Sequence, residues 1–381
     1  MNRYFLILFL LVGVLLTSCK NTTKENETVR FATFNTALFR EEHGVLKKDL
    51  QGGKDDQIKL IARVIQEVRP DVLALQEFDY DPNGEYLGLF QKNYLKKSWN
   101  GSNPIEYEYM LAFPSSTGIP TQFDLNNDGE KHTAEDAYGY GEYPGQYAFA
   151  ILSQYPLDTA SMRTFQKFLW KDMPGAALPL KKDGTSFYSE GELQVFRLSS
   201  KNHVDIPVNI NGRKVHALIA HPTPPVFDGE EDRNGKRNHD EIRLFGDYIS
   251  GKDEAEYLYD DEGKQGGLAK SKPFVILGDM NADPERGDTY KNPIMQMLEH
   301  PQVSKKGARG EMVPTHVSKE QDTLTTTSVF DMRIDYVLPS DDFEVKESGV
   351  FWPKEGEPNH KLTKGDEGSD HRMVWMDIRL K

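Results

Sequence analysis

Apolar residues in this chain come in short runs that repeatedly end on a polar residue. Val29 to Phe34 alternates like a half-buried strand and ends at Asn35. Asp55 or Asp56 then caps an amphipathic helix carrying Ile58, Ile61, Val64, Ile65 and Val68, and Pro70 stops it. Val72 to Leu75 reads as a buried strand leading into Gln76-Glu77, which completes a strand-helix-strand opening. Residues 79–145, rich in Gly, Pro, Asn and Tyr, read as loops before Ala148 to Leu152 resumes strand character and Ser153 to Pro156 turns the chain.

After an irregular stretch over residues 157–192, strands are predicted at Leu193 to Leu198, Ile206 to Ile210 and Val215 to Ala220. Asn211-Gly212 makes the turn between the last two, and His221 ends the third. Asn238 with Glu241 reads as a capping box for a helix that turns Ile242, Phe245 and Ile249 inward and ends at Gly251. Phe274 to Leu277 runs into Gly278-Asp279-Met280-Asn281, and Asn292-Pro293 starts a short helix. Ile334 to Leu338 overlaps Arg333-Ile334-Asp335-Tyr336, and Met373 to Ile378 follows Ser369-Asp370-His371. No repeat of fixed period and no low-complexity linker divides the chain. The pattern predicts packed sheets with helices outside, without choosing among α/β architectures.

The polar residues at these run ends supply what attack on a phosphate ester demands. A cation must neutralise charge, water must be positioned, and a donor must meet the developing anion. Glu77 is a hard-oxygen ligand suited to Mg²⁺, which takes one or two carboxylates and keeps several waters. The order Asn35, Gln76-Glu77, His221, Gly278-Asp279-Met280-Asn281, Asp335-Tyr336, Ser369-Asp370-His371 resembles the endonuclease/exonuclease/phosphatase superfamily, from about Val29 to the C-terminus. The resemblance implies a four-layered α/β/β/α sandwich and a Mg²⁺ or Mn²⁺ site of Asn35, Glu77 and Asp370. It also implies that Asp279 orients or deprotonates the attacking water and that Asn281 holds that water or a phosphate oxygen. By the same resemblance His371 contacts phosphate, Asp335 fixes its tautomer, and His221 acts as acid or electrostatic stabiliser.

Two further features stand apart from that set. Arg233 and Arg237, soon after His221, are either a substrate clamp or part of a solvated charged helix start. Asp124, Asn126, Asp128, Gly129, Glu130 and Glu135 follow the spacing of a calcium loop, with Asp136 an alternative closing ligand. No amphipathic helix precedes that loop and Lys131 stands at a usually apolar position, so the expectation is a lone structural Ca²⁺ loop or an acidic turn.

Asn2 and Arg3, the apolar run Tyr4 to Leu16 and Leu16-Thr17-Ser18-Cys19 match a bacterial lipoprotein leader. Residues 1–19 are then a signal peptide lipidated at Cys19, residues 20–28 a polar tether, and residues 29–381 one domain. The apolar run is shorter than the ~20 residues that span a bilayer. Cys19 is the chain's single cysteine, so disulfides cannot staple the exported domain and a large core must. The formal charge is −14, and loss of Arg3 with the leader makes it −15. That balance disfavours tight binding to nucleic acid, whose partners use basic faces.

The sequence therefore predicts a lipid-anchored, metal-dependent phosphoesterase of the bacterial cell envelope, with a phosphate ester as substrate, the membrane as anchor and no protein partner inferred. An extracytoplasmic nuclease is the alternative within that chemistry. A non-catalytic envelope binding protein on the same fold is the alternative outside it.

Overall fold

A computed structural model describes residues 27–251 and 253–381, so Cys19, the leader and most of the tether lie outside the described residues. Two sheets pack face to face. The first has the order β12 (Phe343–Val350), β13 (Val374–Leu380), β1 (Val29–Leu38), β2 (Val72–Phe78), β4 (Phe149–Ser153), β3 (Tyr109–Phe113). The second has the order β11 (Asp335–Pro339), β8 (Phe274–Asp279), β7 (Arg213–Ala220), β6 (His203–Ile210), β5 (Arg163–Thr164). Pairing is parallel between β1 and β2 and between β7 and β8, and antiparallel elsewhere in both sheets. A ribbon of β9 (His316–Val317) and β10 (Thr323–Leu324) lies apart.

The two-residue period of the strands sorts their apolar side chains into layers. Val29, Phe31, Val72 and Ala74 from the first sheet meet Val215, Ala217, Ile219, Val275, Leu277 and Val337 from the second in a dry middle core. Ala32, Phe34, Leu73 and Leu75 face outward under α1 (Val45–Gly52), α2 (Asp56–Val68) and α3 (Glu85–Phe90). Leu218, Ala220, Phe274, Ile276, Tyr336 and Leu338 face the opposite way. They pack under α5 (Arg233–Ser250), α6 (Met295–Leu298) and α7 (Lys305–Arg309), with the one-turn α4 (Glu190–Leu193) preceding them in the chain. The result is the α/β/β/α sandwich. Asp55 is the α2 cap, its carboxylate accepting from the Ile58 N–H at 2.9 Å, and Arg69 ends that helix in the left-handed region before Pro70.

Three local expectations are corrected. Residues 193–198 are not a strand: α4 ends at Leu193, and Phe196 and Leu198 instead pack side-on into the outer core beneath α5. The short helix expected to start at Asn292-Pro293 begins at Met295, two residues past Pro293. Asn238 and Glu241 do not cap α5, which starts five residues earlier; both are buried within it. The Glu241 carboxylate accepts from the Ser200 N–H and O–H at 2.7 and 2.8 Å and from the Thr223 N–H at 2.7 Å, while the Asn238 amide donates to the carbonyls of Thr223 and Met280. Together they pin to α5 the loops that follow β7 and β8.

Gly278 shows how tightly those strand ends are held. A Cβ built there would lie 2.0 Å from the Ala220 carbonyl oxygen, a backbone atom of β7 that cannot swing away. Gly278→Ala must spread β7 and β8 and is expected to cost about 1–3 kcal/mol, as overpacking does. Urea unfolding checks this: the midpoint should fall below that of the wild type, and an unchanged midpoint would show that the strands can separate freely.

Candidate active site

Strand parity also explains why the polar run ends converge. Asn35, His221, Asp279 and Asp335 each continue the inward-facing register of their strands, so they cap the middle core at one end of the sandwich. Backbone strain aims their neighbours. Ala37, Glu77 and Asn281 have φ of 48°, 55° and 51°, in the left-handed region that such residues rarely adopt. At Glu77 the reversal breaks the strand's alternation and turns the carboxylate toward the cavity. The Ser369-Asp370-His371 turn is fastened to β1 by the Ser369 hydroxyl, which donates to the Asn35 carbonyl at 2.7 Å. Arg372 braces it from behind through four backbone carbonyls.

Asp279 is the hub. Its Oδ2 accepts from the Asn35 side-chain amide at 3.0 Å and lies 3.5 Å from His221 Nε2 and 3.7 Å from His371 Nε2. The other ring nitrogen of His371, Nδ1, is 2.9 Å from Asp335 Oδ2, which also accepts from the Thr327 hydroxyl at 2.7 Å. Burial opposes charge on His371, but Asp335 and Asp279 outweigh it and raise the pKa to about 10. Burial likewise disfavours the Asp279 anion, yet His371, His221 and Asn35 hold its carboxyl below the usual range. His221 goes the other way: burial, with Lys201 beside it, lowers its pKa to about 4, so it is neutral at pH 7. The two histidines thus divide into a cation and a neutral hydrogen-bonding group.

Asp279, Asp335 and His371 lie close enough together to hold a metal ion. Both imidazole nitrogens of His371 face carboxylate oxygens, however, which satisfies an imidazolium. Glu77 and Asp370 instead line the open cavity, and Asn35 hydrogen-bonds to Asp279 at its edge. Burial pushes the Glu77 carboxyl up to about 7 against the pull of His371 and Asn35, so its anion needs a positive partner. Asp370 is partly exposed, 4.0 Å from His371 Nε2. This oxygen-rich set fits a hard divalent cation that keeps part of its water. Asn281 donates its side-chain amide to the Pro222 carbonyl at 3.1 Å, and its backbone N–H donates to Asp279.

Glu77, His221, Asp279, Asn281, Asp370 and His371 form the floor of a cavity of about 690 Å³ between the loops after β7 and β8 and the turn before β11. Its wall includes Lys201, a buried ammonium whose one hydrogen bond is a long 3.5 Å contact to the Pro222 carbonyl. Burial lowers its pKa, with Glu241, Glu77 and Asp279 acting in opposition. Nothing in the sequence distinguished this lysine. It precedes β6 in a Ser-Ser-Lys-Asn-His segment, and only the fold turns it toward the carboxylates.

Arg233 and Arg237 reach the same wall with their guanidinium groups engaged. Arg233 pairs with Glu231 at 2.5 Å and Glu135 at 3.4 Å. Arg237 donates to the carbonyls of Leu198, Tyr138 and Arg197 and lies over Phe196, as a strut does. In the Asp124 loop, Asp124 and Asp128 accept backbone N–H groups of residues 128–130, and Asn126 bonds to Asp128. Glu135 turns to Arg233, and Asp136 is buried, accepting from the N–H groups of Leu125 and Thr133. This network holds Leu125, Glu135 and Ala137 on the cavity wall.

A carboxylate-lined cleft at the strand ends of such a sandwich marks a phosphoesterase- or nuclease-type protein. Residues 32–371 match the Endonuclease/Exonuclease/phosphatase family, and the chain belongs to it. Among solved structures it is similar to an endonuclease/exonuclease/phosphatase from Beutenbergia cavernae, with 16% identity, a TM-score of 0.50 and coverage of 93% of this chain and 72% of that one. A family protein from Leptotrichia buccalis shares 16% identity at a TM-score of 0.46, over 92% of this chain and 99% of that one. A magnesium-bound beta toxin from Staphylococcus aureus shares 14% at 0.44, over 93% and 100%. No curated protein matches the chain. At these identities the structures show the fold.

The charge assignment of the hub can be measured. His371 should stay doubly protonated through neutral pH in metal-free protein and lose its proton near pH 10. Its raised pKa contributes stability present below the unfolded value of about 6.5 and lost as pH rises through the folded value. Asp335→Asn should bring the titration down by at least one pH unit in histidine NMR spectra. A wild-type midpoint near 6.5 would contradict the assignment.

Proposed function

We propose that this chain is a lipid-anchored, Mg²⁺-dependent phosphoesterase of the bacterial cell envelope that hydrolyses phosphate mono- or diesters by attack of water. The observation that carries the reading is the charge balance of the cavity floor. Glu77, Asp279 and Asp370 line it, with Asp335 behind His371, so carboxylates outnumber the imidazolium of His371 that faces them. A divalent cation, Mg²⁺ or Mn²⁺, held by Glu77 with Asn35 and Asp370, would offset this excess of carboxylates and supply charge stabilisation to the phosphoryl oxygens.

The chain's own residues account for the rest. Asp279 is too weak a base to take a proton from water unaided, because its neighbours hold its pKa low; it is suited to orienting the nucleophile by accepting its hydrogen bond. Asn281 fixes the other side of that water or a phosphate oxygen. His371, kept protonated by Asp335, donates a charge-assisted hydrogen bond to a phosphate oxygen. Neutral His221 donates without carrying charge, and Lys201 stands beside the anionic ester as a further donor. Asp283, Asp288 and Asp370 on the cavity wall, together with the overall charge of −14, favour a small ester over a nucleic-acid polyanion. The reading of Cys19 as the lipidated residue supports the envelope location.

Purified residues 20–381 tested on phosphomonoesters, diesters, phospholipids and DNA, with and without Mg²⁺, decide the reaction class. Asp279→Asn and His371→Ala should each lower kcat at least ~100-fold, measured on protein that circular dichroism shows to be folded, because His371→Ala also lowers stability. Near-wild-type turnover in either variant would remove the assignment. We also propose the Asp124 loop as a structural Ca²⁺ site. Saturating Ca²⁺ should raise Tm in the wild type but not after Asp124→Ala with Asp128→Ala. Equal increases in both proteins would leave the loop an acidic turn.

A further inference from the structure

Among the described residues, three aromatic side chains are exposed: Phe227 at 79%, Phe330 at 53% and Tyr140 at 52%. They come from three separate segments of the chain, yet all three stand on the wall of the catalytic cavity. Exposed single aromatics are ordinary when scattered; their gathering at one mouth is what marks a binding surface. Phe227 is moreover held in place. Its φ of 64° is strained for a bulky residue, and its carbonyl accepts from both Arg233 and Asn234, which fix the backbone that projects the ring outward. Phe330 sits edge-on to His371 at 6.2 Å between ring centroids, beside the phosphate-binding floor.

The cationic and amide donors among these rings are already engaged. Arg233 pairs with Glu231 and Glu135, Arg286 pairs with Asp331, and the Asn234 amide is spent on the carbonyls of Val226 and Phe227. The mouth therefore offers ring faces where its cationic and amide donors are spent. Resting on the phosphoesterase reading above, we propose that Tyr140, Phe227 and Phe330 form a recognition rim for a flat aromatic ring on the alcohol side of a small, soluble phosphate ester. Ring stacking of this kind tolerates any π-face and needs no donor from the protein.

A lipid surface is the competing occupant, and the position of Glu27 argues against it. Glu27 reaches the Asn211 amide in the turn between β6 and β7, at the end of the sandwich opposite the cavity. The eight residues of β7 separate that turn from His221, roughly 26 Å at 3.3 Å per residue. Glu27, the first described residue, thus lies on the far side from the mouth. Acidic Asp288 and Asp370 on the cavity wall would also be repelled by anionic headgroups.

The test compares benzyl with n-butyl phosphate, and their methyl diesters, as the ratio of kcat/KM values in wild type and in Phe227→Ala with Phe330→Ala. The matching non-hydrolysable benzyl and butyl phosphonates are titrated by calorimetry, and phosphatidylglycerol/phosphatidylcholine vesicles form a third arm. Both side chains are exposed, and circular dichroism verifies folding. The benzyl-to-butyl ratio should fall at least ~10-fold in the double variant, in turnover and in binding alike. An unchanged ratio, or hydrolysis of vesicle lipid in preference to benzyl phosphate that the double variant loses, overturns the rim assignment. Hydrolysis without ring preference leaves the phosphoesterase reading standing and this one refuted. Ring-selective phosphonate binding without hydrolysis of any ester does the reverse, and the absence of both refutes the two together.

Discussion

The imidazolium of His371 between Asp279 and Asp335 is the interaction on which the arrangement of the cavity floor depends. Strand parity sends both carboxylates inward at the same end of the middle core, where two like charges in low dielectric repel strongly. A proton held on the imidazole converts that repulsion into two ion pairs. Its position is in turn set by the Ser369 link to β1 and by the Arg372 brace behind the turn. A neutral residue at 371 would leave two buried carboxylates facing each other, which costs far more than the pair gains on the surface. The same cluster keeps Asp279 ionised and so available to accept from water.

What could be read from the sequence follows from period. In β1, β2, β7 and β8 an apolar run ends at a polar residue and in β11 one starts from it, and the position of that residue in the alternation states which face it shares. Asn35, His221, Asp279 and Asp335 are therefore legible as one cluster before any contact is known. Glu77 is legible by type but not by direction, because its φ of 55° breaks the alternation just where its carboxylate must turn. The resemblance to a known family named the roles, whereas the fold shows why these residues meet.

What could not be read is burial of polar groups by distant segments. Asn238 and Glu241 have the spacing of a capping box, and a cap and a buried pin look alike in one dimension. The choice was made by Ser200 and Thr223, which lie 38 and 15 residues before Asn238 and whose donors need the carboxylate. Lys201 was invisible for the same reason, since a lone lysine before a strand is normally solvated. Arg233 and Arg237 read either as a clamp or as a solvated helix start, because their partners Glu135, Glu231 and the carbonyls of Tyr138, Arg197 and Leu198 come from loops whose path the pattern does not specify.

These long-range pins also explain how a cavity so rich in charge can be rigid without disulfides. Each loop around it is tied to a regular element by a buried group. Glu241 ties residues 200 and 223 to α5, and Tyr336 ties the Ala282 carbonyl to β11. Asp283 ties the Arg333 N–H to the loop after β8, and Asp79 ties Tyr143 and Tyr147 to the end of β2. Every such tie satisfies donors or acceptors that would otherwise be buried unpaired, so the loops cannot move apart without exposing or orphaning them. The groups at the strand ends can then be held in strained backbone and close approach, at Ala37, Glu77, Gly278 and Asn281. The elements behind them resist relaxation more strongly than the strain drives it.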